Sequence, residues 1–203
     1  TVAADYKISK NTFASVETAL SNNDLNTFSS YNERDNIGYA AKVNITNKTL
    51  LSKSDTNGWT LSSALMNEWT GKEFTFIERY REVEFERDWN LSNVNIFNDE
   101  NIASVKLNLA KKKTGNIGYQ LSSYTKGSGY NGLQHSINSL LHKKGFEFLF
   151  NGSLLQTKGA YNTTEYFRQK ASLLKKFRII TIGIKEDQEQ NKFREIHSDT
   201  LQL

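Results

Sequence analysis

Two kinds of turn alternate between Asn101 and Glu186, and their spacing constrains the fold more than any other feature of the sequence. Lysine-rich turns fall at Lys111-Lys112-Lys113, Lys143-Lys144 and Lys175-Lys176, about 32 residues apart, which is two strands plus two turns. Between them stand Thr125-Lys126-Gly127-Ser128-Gly129-Tyr130-Asn131 and Thr157-Lys158-Gly159-Ala160-Tyr161-Asn162, again about 32 residues apart. An up-and-down antiparallel meander puts alternate turns at opposite ends of the sheet. The spacing therefore predicts a basic rim and a Gly-Tyr-Asn rim.

The residues between the turns alternate with period two. Val105, Leu107 and Leu109 oppose Ser104, Lys106 and Asn108, and Ile117, Tyr119 and Leu121 oppose Gln120 and Ser122. Phe146, Phe148, Phe150 and Leu154 oppose Glu147, Asn151 and Ser153, and Ile180, Ile182 and Ile184 oppose Thr181 and Lys185. Each strand thus has one apolar and one polar face. Nearer the amino terminus, residues 2–9 and 12–22 read as a hairpin with a two-residue turn at Lys10-Asn11. A polar loop over 23–35, a strand over 36–46, a turn through Ser54-Asp55-Thr56-Asn57-Gly58 and a strand over 59–70 follow. Residues 71–100 break the pattern: Phe74 to Arg87 is dense in charge, and an acidic, Asn-rich stretch follows. This segment is expected to be an extended ribbon or long loop that leaves the sheet, the place where specialised function concentrates.

Composition narrows the class. Proline is absent where an average chain of this size carries roughly ten, which suits long uninterrupted strands. There is no cysteine, hence neither a disulfide framework nor a thiolate metal site. The net charge of +4 is dispersed in pairs at turns rather than gathered with aromatics in a patch, so no nucleic-acid partner is expected. No apolar run approaches the ~20 residues of a spanning helix, and Thr1-Val2-Ala3-Ala4-Asp5-Tyr6 looks like mid-strand rather than a signal peptide.

A sheet with one apolar face fits a sandwich, a barrel with its apolar side inward, or a membrane barrel with its apolar side against lipid. All three alternate identically. Segments of 10 to 12 residues favour the membrane barrel, whose strands need ~9 to 11 where soluble strands average ~5 to 6. The opposite face would carry Lys106, Asn108, Gln120, Gln134, Asn138, Glu147, Asn151, Arg168 and Lys170 into a wet lumen. His135, Ser139 and Gln169 fall on the apolar face and weigh against lipid there.

The segments Glu78-Arg-Tyr-Arg-Glu-Val-Glu-Phe-Glu-Arg-Asp-Trp-Asn-Leu91 and Ala19-Leu-Ser-Asn-Asn-Asp-Leu-Asn-Thr-Phe-Ser29, with the meander after them, resemble parts of large, mostly uncharacterised outer-membrane β-barrel proteins of Bacteroidota. The resemblance spans most of the chain. It implies an outer-membrane location and barrel architecture, transfers no catalytic or binding residue, and implies a piece of a longer protein.

Candidate sites are few. Asp55-Thr56-Asn57-Gly58 has the core of a calcium loop, but Lys53 stands at the preceding ligand position and no glutamate closes it, so a hairpin turn is the better reading. Asn22-Asn23-Asp24 and Asn98-Asp99-Glu100 read as solvated loops before cation ligands. A hydrolase would need a nucleophile beside one of the three histidines, His135, His142 and His197. In strands, His135-Ser136 and His197-Ser198 point to opposite faces, and no enzymatic activity is expected. Glu82, Glu84 and Glu86, interleaved with Arg79, Arg81 and Arg87, suit a salt-bridged ribbon better than a carboxylate pair with a raised pKa. The Asn-x-Ser/Thr triplets at Asn44, Asn47, Asn90, Asn151 and Asn162 are expected by chance. Trp59, Trp69, Trp89 and Tyr80 form either an aromatic girdle or a sugar-stacking surface. Trp59 and Trp69 are separated by ~33 Å of strand, which a tilt near ~45° reduces to a thin membrane's apolar band.

The sequence thus predicts an all-β, up-and-down meander over 1–203, a single transmembrane β-barrel or a roughly ten-strand part of one, with a charged loop or ribbon at 71–100. The expected role is structural or transport-related in the outer membrane, without a cofactor, with the bilayer and partner subunits held through 71–100 as partners. The rival is a soluble secreted β-sandwich module that binds glycan through exposed aromatics.

Overall fold

The computed structural model describes residues 1–24, 36–51, 58–91, 97–159 and 162–195, with Glu195 described by its backbone alone. Ten strands, each bonded to the next in chain order, form one antiparallel sheet. They are β1 (Val2–Lys7), β2 (Thr12–Asn22), β3 (Ile37–Leu50), β4 (Thr60–Thr70), β5 (Glu100–Lys111), β6 (Gly115–Lys126), β7 (Tyr130–Lys143), β8 (Phe146–Gly159), β9 (Asn162–Lys176) and β10 (Thr181–Glu195). β1 and β10 are the two edges, and the sheet is not closed. Between β4 and β5 lies a single helical turn, α1 (Phe85–Asp88).

Both sets of turns fall where the spacing puts them. The lysine turns join β5 to β6, β7 to β8 and β9 to β10 at one rim, and the Gly-Tyr-Asn turns join β6 to β7 and β8 to β9 at the other. Two local differences have simple causes. The β1–β2 turn is longer than two residues, because Ile8 and Ser9 both donate their N–H to the Thr12 carbonyl (3.0 and 3.1 Å). β3 runs past Thr46 to Leu50, because pairing from Asn47↔Ser63 to Leu50↔Thr60 sustains a stretch whose own residues no longer alternate.

Register assigns every strand residue to a side. One hydrogen-bonding row runs Asp5, Ser15, Asn44, Met66, Ser104, Ser122, Gln134, Leu155, Tyr166, Asn191, and its residues share the polar side. On the other side Val105 (39% exposed), Leu107 (41%), Phe148 (37%) and Ile182 (60%) lie under no second sheet or helix among the described residues. Across β1–β9 this apolar side carries no Asp, Glu, Lys or Arg between Lys111, Lys143 and Lys175 at the basic rim and Lys158 and Glu165 toward the far one. β10 departs from this. Ile182 and Ile184 are apolar at its basic-rim end, whereas Lys185 to Asn191 is polar on both sides.

The strands are staggered. From the β1–β2 turn to the β9–β10 turn the basic rim descends about eight residues relative to the hydrogen-bonding rows. At about 3.3 Å per residue and about 4.8 Å between strands, that inclines the strands about 30° to the rim's normal. The apolar band descends in the same sense: its centre passes from Ala41 on β3 to Phe150 on β8, which corresponds to about 45°.

Residues 71–91 do not leave the sheet as an extended ribbon. The chain turns back at Gly71, whose N–H bonds the Tyr39 carbonyl (2.9 Å), and lies across the polar side. The reason is its own apolar content. Phe74 and Phe76 alternate, while Trp89, just past the end of α1, bonds back to the Phe85 carbonyl four residues earlier, and all four need cover.

Candidate functional site

The inturned segment touches the polar side from β2 to β9. The Thr75 N–H donates to Ser21 Oγ on β2 (3.0 Å), and the Asn90 side-chain amide donates to Thr164 Oγ1 on β9 (2.8 Å). Between these ends it is held by an aromatic cluster and by a charge network.

The aromatic cluster is the buried core. Trp89 (7% exposed) packs on Tyr124, Tyr130, Ile102 and Leu155, with Met66, Phe85, Leu91 and Tyr166 around them. Trp89 and Tyr124 are 5.5 Å apart between centroids, Phe85 meets Tyr124 edge-on at 5.3 Å, and the Tyr130 hydroxyl donates to the Trp89 carbonyl. α1 delivers Trp89 through a C-terminal lock. The Leu91 N–H bonds the Glu86 carbonyl (2.8 Å) and the Asn90 N–H bonds the Arg87 carbonyl (3.1 Å). Asn90, at φ 52, takes the left-handed position that asparagine tolerates. Two glycines make the close approach: a Cβ on Gly38 would meet the Phe74 backbone at 2.2 Å, and one on Gly132 would meet the Trp89 ring at 2.9 Å.

The charge network centres on Glu68, a buried carboxylate on β4. Arg81 meets it at 2.5 Å and Lys42 at 3.5 Å, and the Tyr80 hydroxyl donates to it. Arg81 extends to Glu100 (3.4 Å), which Lys126 meets at 3.0 Å. The Arg81 guanidinium lies 5.2 Å from the Tyr80 ring centre and 4.8 Å from that of Phe85. A buried carboxylate is tolerated because these donors face it. Burial first, and then its bond to Glu68, raises the Tyr80 phenol above its ordinary pKa.

Beside this network an open cleft of about 710 Å³ lies between Phe74–Tyr80 and the polar side of β2–β4. Glu17, Lys42, Glu68, Phe74, Phe76 and Tyr80 are among its lining residues. Phe76 stacks on Tyr80 at 5.1 Å, with the rings 4° from parallel. The lining mixes carboxylates and cations over an aromatic floor. It provides packing and hydrogen bonding, with no histidine or cysteine among its residues.

The four aromatics singled out in the sequence do not form one surface. Trp69, 37% exposed, stands on the apolar side of β4 near its end, and Trp59, the residue before β4, lies beneath the Lys111 ammonium (5.7 Å). Trp89 and Tyr80 lie across the sheet on the polar side, Trp89 buried and Tyr80 committed to Glu68. Trp89 is therefore neither a girdle residue nor a sugar platform. Glu82, Glu84 and Glu86 do not share a strand face either, since Glu84 stands just before α1 and pairs with Arg87 (2.7 Å) while Glu86 is within the helix.

His135 bonds the Tyr119 hydroxyl (2.9 Å) on the apolar side, and His142 pairs with Glu147 (3.5 Å) at the basic rim. Asp99 accepts the Lys72 N–H (2.9 Å). Asp55, Thr56, Asn57, Tyr161 and His197 lie outside the described residues. Among the described residues no group of three or more His, Cys, Asp and Glu is placed to hold a metal ion.

No protein-family model, curated protein or solved structure matches this chain.

Sequence reasoning missed Glu68, Tyr124, Tyr130, Gly38 and Gly132. The signal for the tyrosines was available: Tyr124, Tyr130 and Tyr166 are large aromatics in the polar phase of their strands, which implies something to cover them. The i, i+4 pair Phe85 and Trp89 was its counterpart.

Proposed function

We propose that this chain is a non-enzymatic outer-membrane β-barrel, or the wall of a larger one, with its apolar side against lipid and its polar side toward a lumen. The observation that carries the reading is the apolar side itself: bare, and free of Asp, Glu, Lys and Arg between the two rims across β1–β9. A surface of that kind is unfavourable in water and suited to hydrocarbon. Three further features support it. β2 to β10 are 11 to 15 residues long, enough to cross a bilayer obliquely. The inclination of about 30° to 45° inferred from register overlaps the tilt of membrane barrels. Two of the polar residues on the apolar side are satisfied, His135 by Tyr119 and Gln169 by Gln188 (2.9 Å).

The role we infer is structural or transport-related. The inturned segment crosses the polar side from β2 to β9, so any conduit along it is narrowed there by the chain itself, and partner subunits would meet the exposed Ile77 and Val83 of that segment. Fractionation tests the reading. The protein should partition with detergent and migrate faster on a gel when unheated. A chain that stays soluble and monodisperse without detergent would overturn it in favour of a soluble sandwich.

A further inference from the structure

The basic rim has a feature that a plain barrel wall does not require. Positions 111–113, 143–144 and 175–178 hold seven lysines and one arginine, and a single carboxylate, Glu147, stands beside them, 3.5 Å from His142 Nδ1. Setting these aside leaves 18 Lys and Arg against 21 Asp and Glu, so the chain is polarised, with a positive rim on an otherwise net-negative molecule. The turns form one continuous edge. The His142 N–H bonds the Thr114 carbonyl (2.7 Å), and the Lys176 N–H bonds the Gly145 carbonyl (2.8 Å).

Three of these lysines lie on the apolar side, each beside an aromatic ring. The Lys175 ammonium sits 3.8 Å from the Phe146 ring centre and 5.8 Å from that of Phe177. Lys143 is the register partner of Phe146 on the other flank, and the Lys111 ammonium is 5.7 Å from the Trp59 ring. Lys175 donates one hydrogen bond, to the Lys144 carbonyl (2.8 Å), which leaves two N–H donors of its ammonium. The ammonium groups of Lys111 and Lys175 thus stand over aromatic rings at the lower boundary of the bare band.

We propose that this lysine and aromatic belt binds the phosphates of anionic phospholipid headgroups. The inference rests on the membrane-spanning reading. The argument is charge complementarity at a fixed depth. An ammonium ringed by aromatics at the margin of an apolar band lies where headgroup phosphates lie, and cations at that level concentrate anionic lipid. Toward the far rim the apolar side of β1–β9 carries one charge of each sign, Lys158 and Glu165, whereas at this rim it carries three lysines with no carboxylate among their register partners.

The test uses Trp59 as a reporter, because Lys111 covers it. The full chain is refolded into vesicles holding dibrominated phosphatidylglycerol or dibrominated phosphatidylcholine at equal mole fraction. Quenching of Trp59 is taken as the difference between wild type and Trp59→Phe. Brominated phosphatidylglycerol should quench about twofold more or better, and the preference should disappear in the Lys111→Gln/Lys143→Gln/Lys175→Gln variant. The variant's heat-dependent gel migration should match that of wild type. Equal quenching of wild type by the two lipids would overturn the proposal and leave the barrel reading standing. No quenching by either would overturn both.

Discussion

An arginine placed at Leu107 separates lipid from water on the apolar side by the size of its cost. Leu107 lies four residues from Lys111 on β5, about 13 Å along the strand and about 10 Å in depth after tilt, close to the middle of an apolar band about 25 Å tall. Arginine at the midplane of a barrel's lipid face costs about 2–4 kcal/mol, falling to about 0–1 near the interface. Leu109→Arg, about 7 Å along the strand from Lys111, should therefore cost clearly less than Leu107→Arg. In water the arithmetic reverses. Leu107 is already 41% exposed, an arginine stem can cover the same neighbours, and surface substitutions stay within about 0.5 kcal/mol. The assay is equilibrium urea unfolding in phosphatidylcholine vesicles, followed by tryptophan fluorescence, for wild type and the two variants. A cost for Leu107→Arg below about 0.5 kcal/mol, or equal costs at 107 and 109, would refute the reasoning.

Three predictions concern the inturned segment. Gly132→Val should displace Trp89, whose ring a Cβ would meet at 2.9 Å, with a cost of about 1–3 kcal/mol. Limited trypsin digestion should then cut at Arg81 or Arg87 faster than in wild type, and an unchanged cleavage rate would contradict the packing described. Glu68→Gln leaves Arg81 and Lys42 facing a neutral amide, at a cost near the low end of about 3–5 kcal/mol because Arg81 keeps Glu100; unfolding followed by tryptophan emission reads it, and unchanged stability would count against the network. Tyr80, its folded pKa raised, contributes stability that is complete below its unfolded value near 10 and is lost as pH rises through the folded value. The 295 nm titration of wild type minus Tyr80→Phe should show that step above the ordinary tyrosine range, and a step at or below it would contradict the Glu68 contact.

The strands and their two sides were legible in the sequence because the cause is local. Side chains alternate with period two, and a short turn fixes the register of the next strand, so Val105, Leu107, Phe148 and Ile182 fall together from spacing alone. The turn spacing likewise determined that the lysines share one rim. What residues 71–91 do was decided only in the tertiary structure. Their charge suggested a ribbon in solvent, whereas Trp89 meets Tyr130 across 41 positions and Asn90 meets Thr164 across 74. Contacts so distant in sequence leave no periodic trace. They arise because the polar side presents aromatic rings and a buried carboxylate, which only a segment returning from elsewhere in the chain can cover.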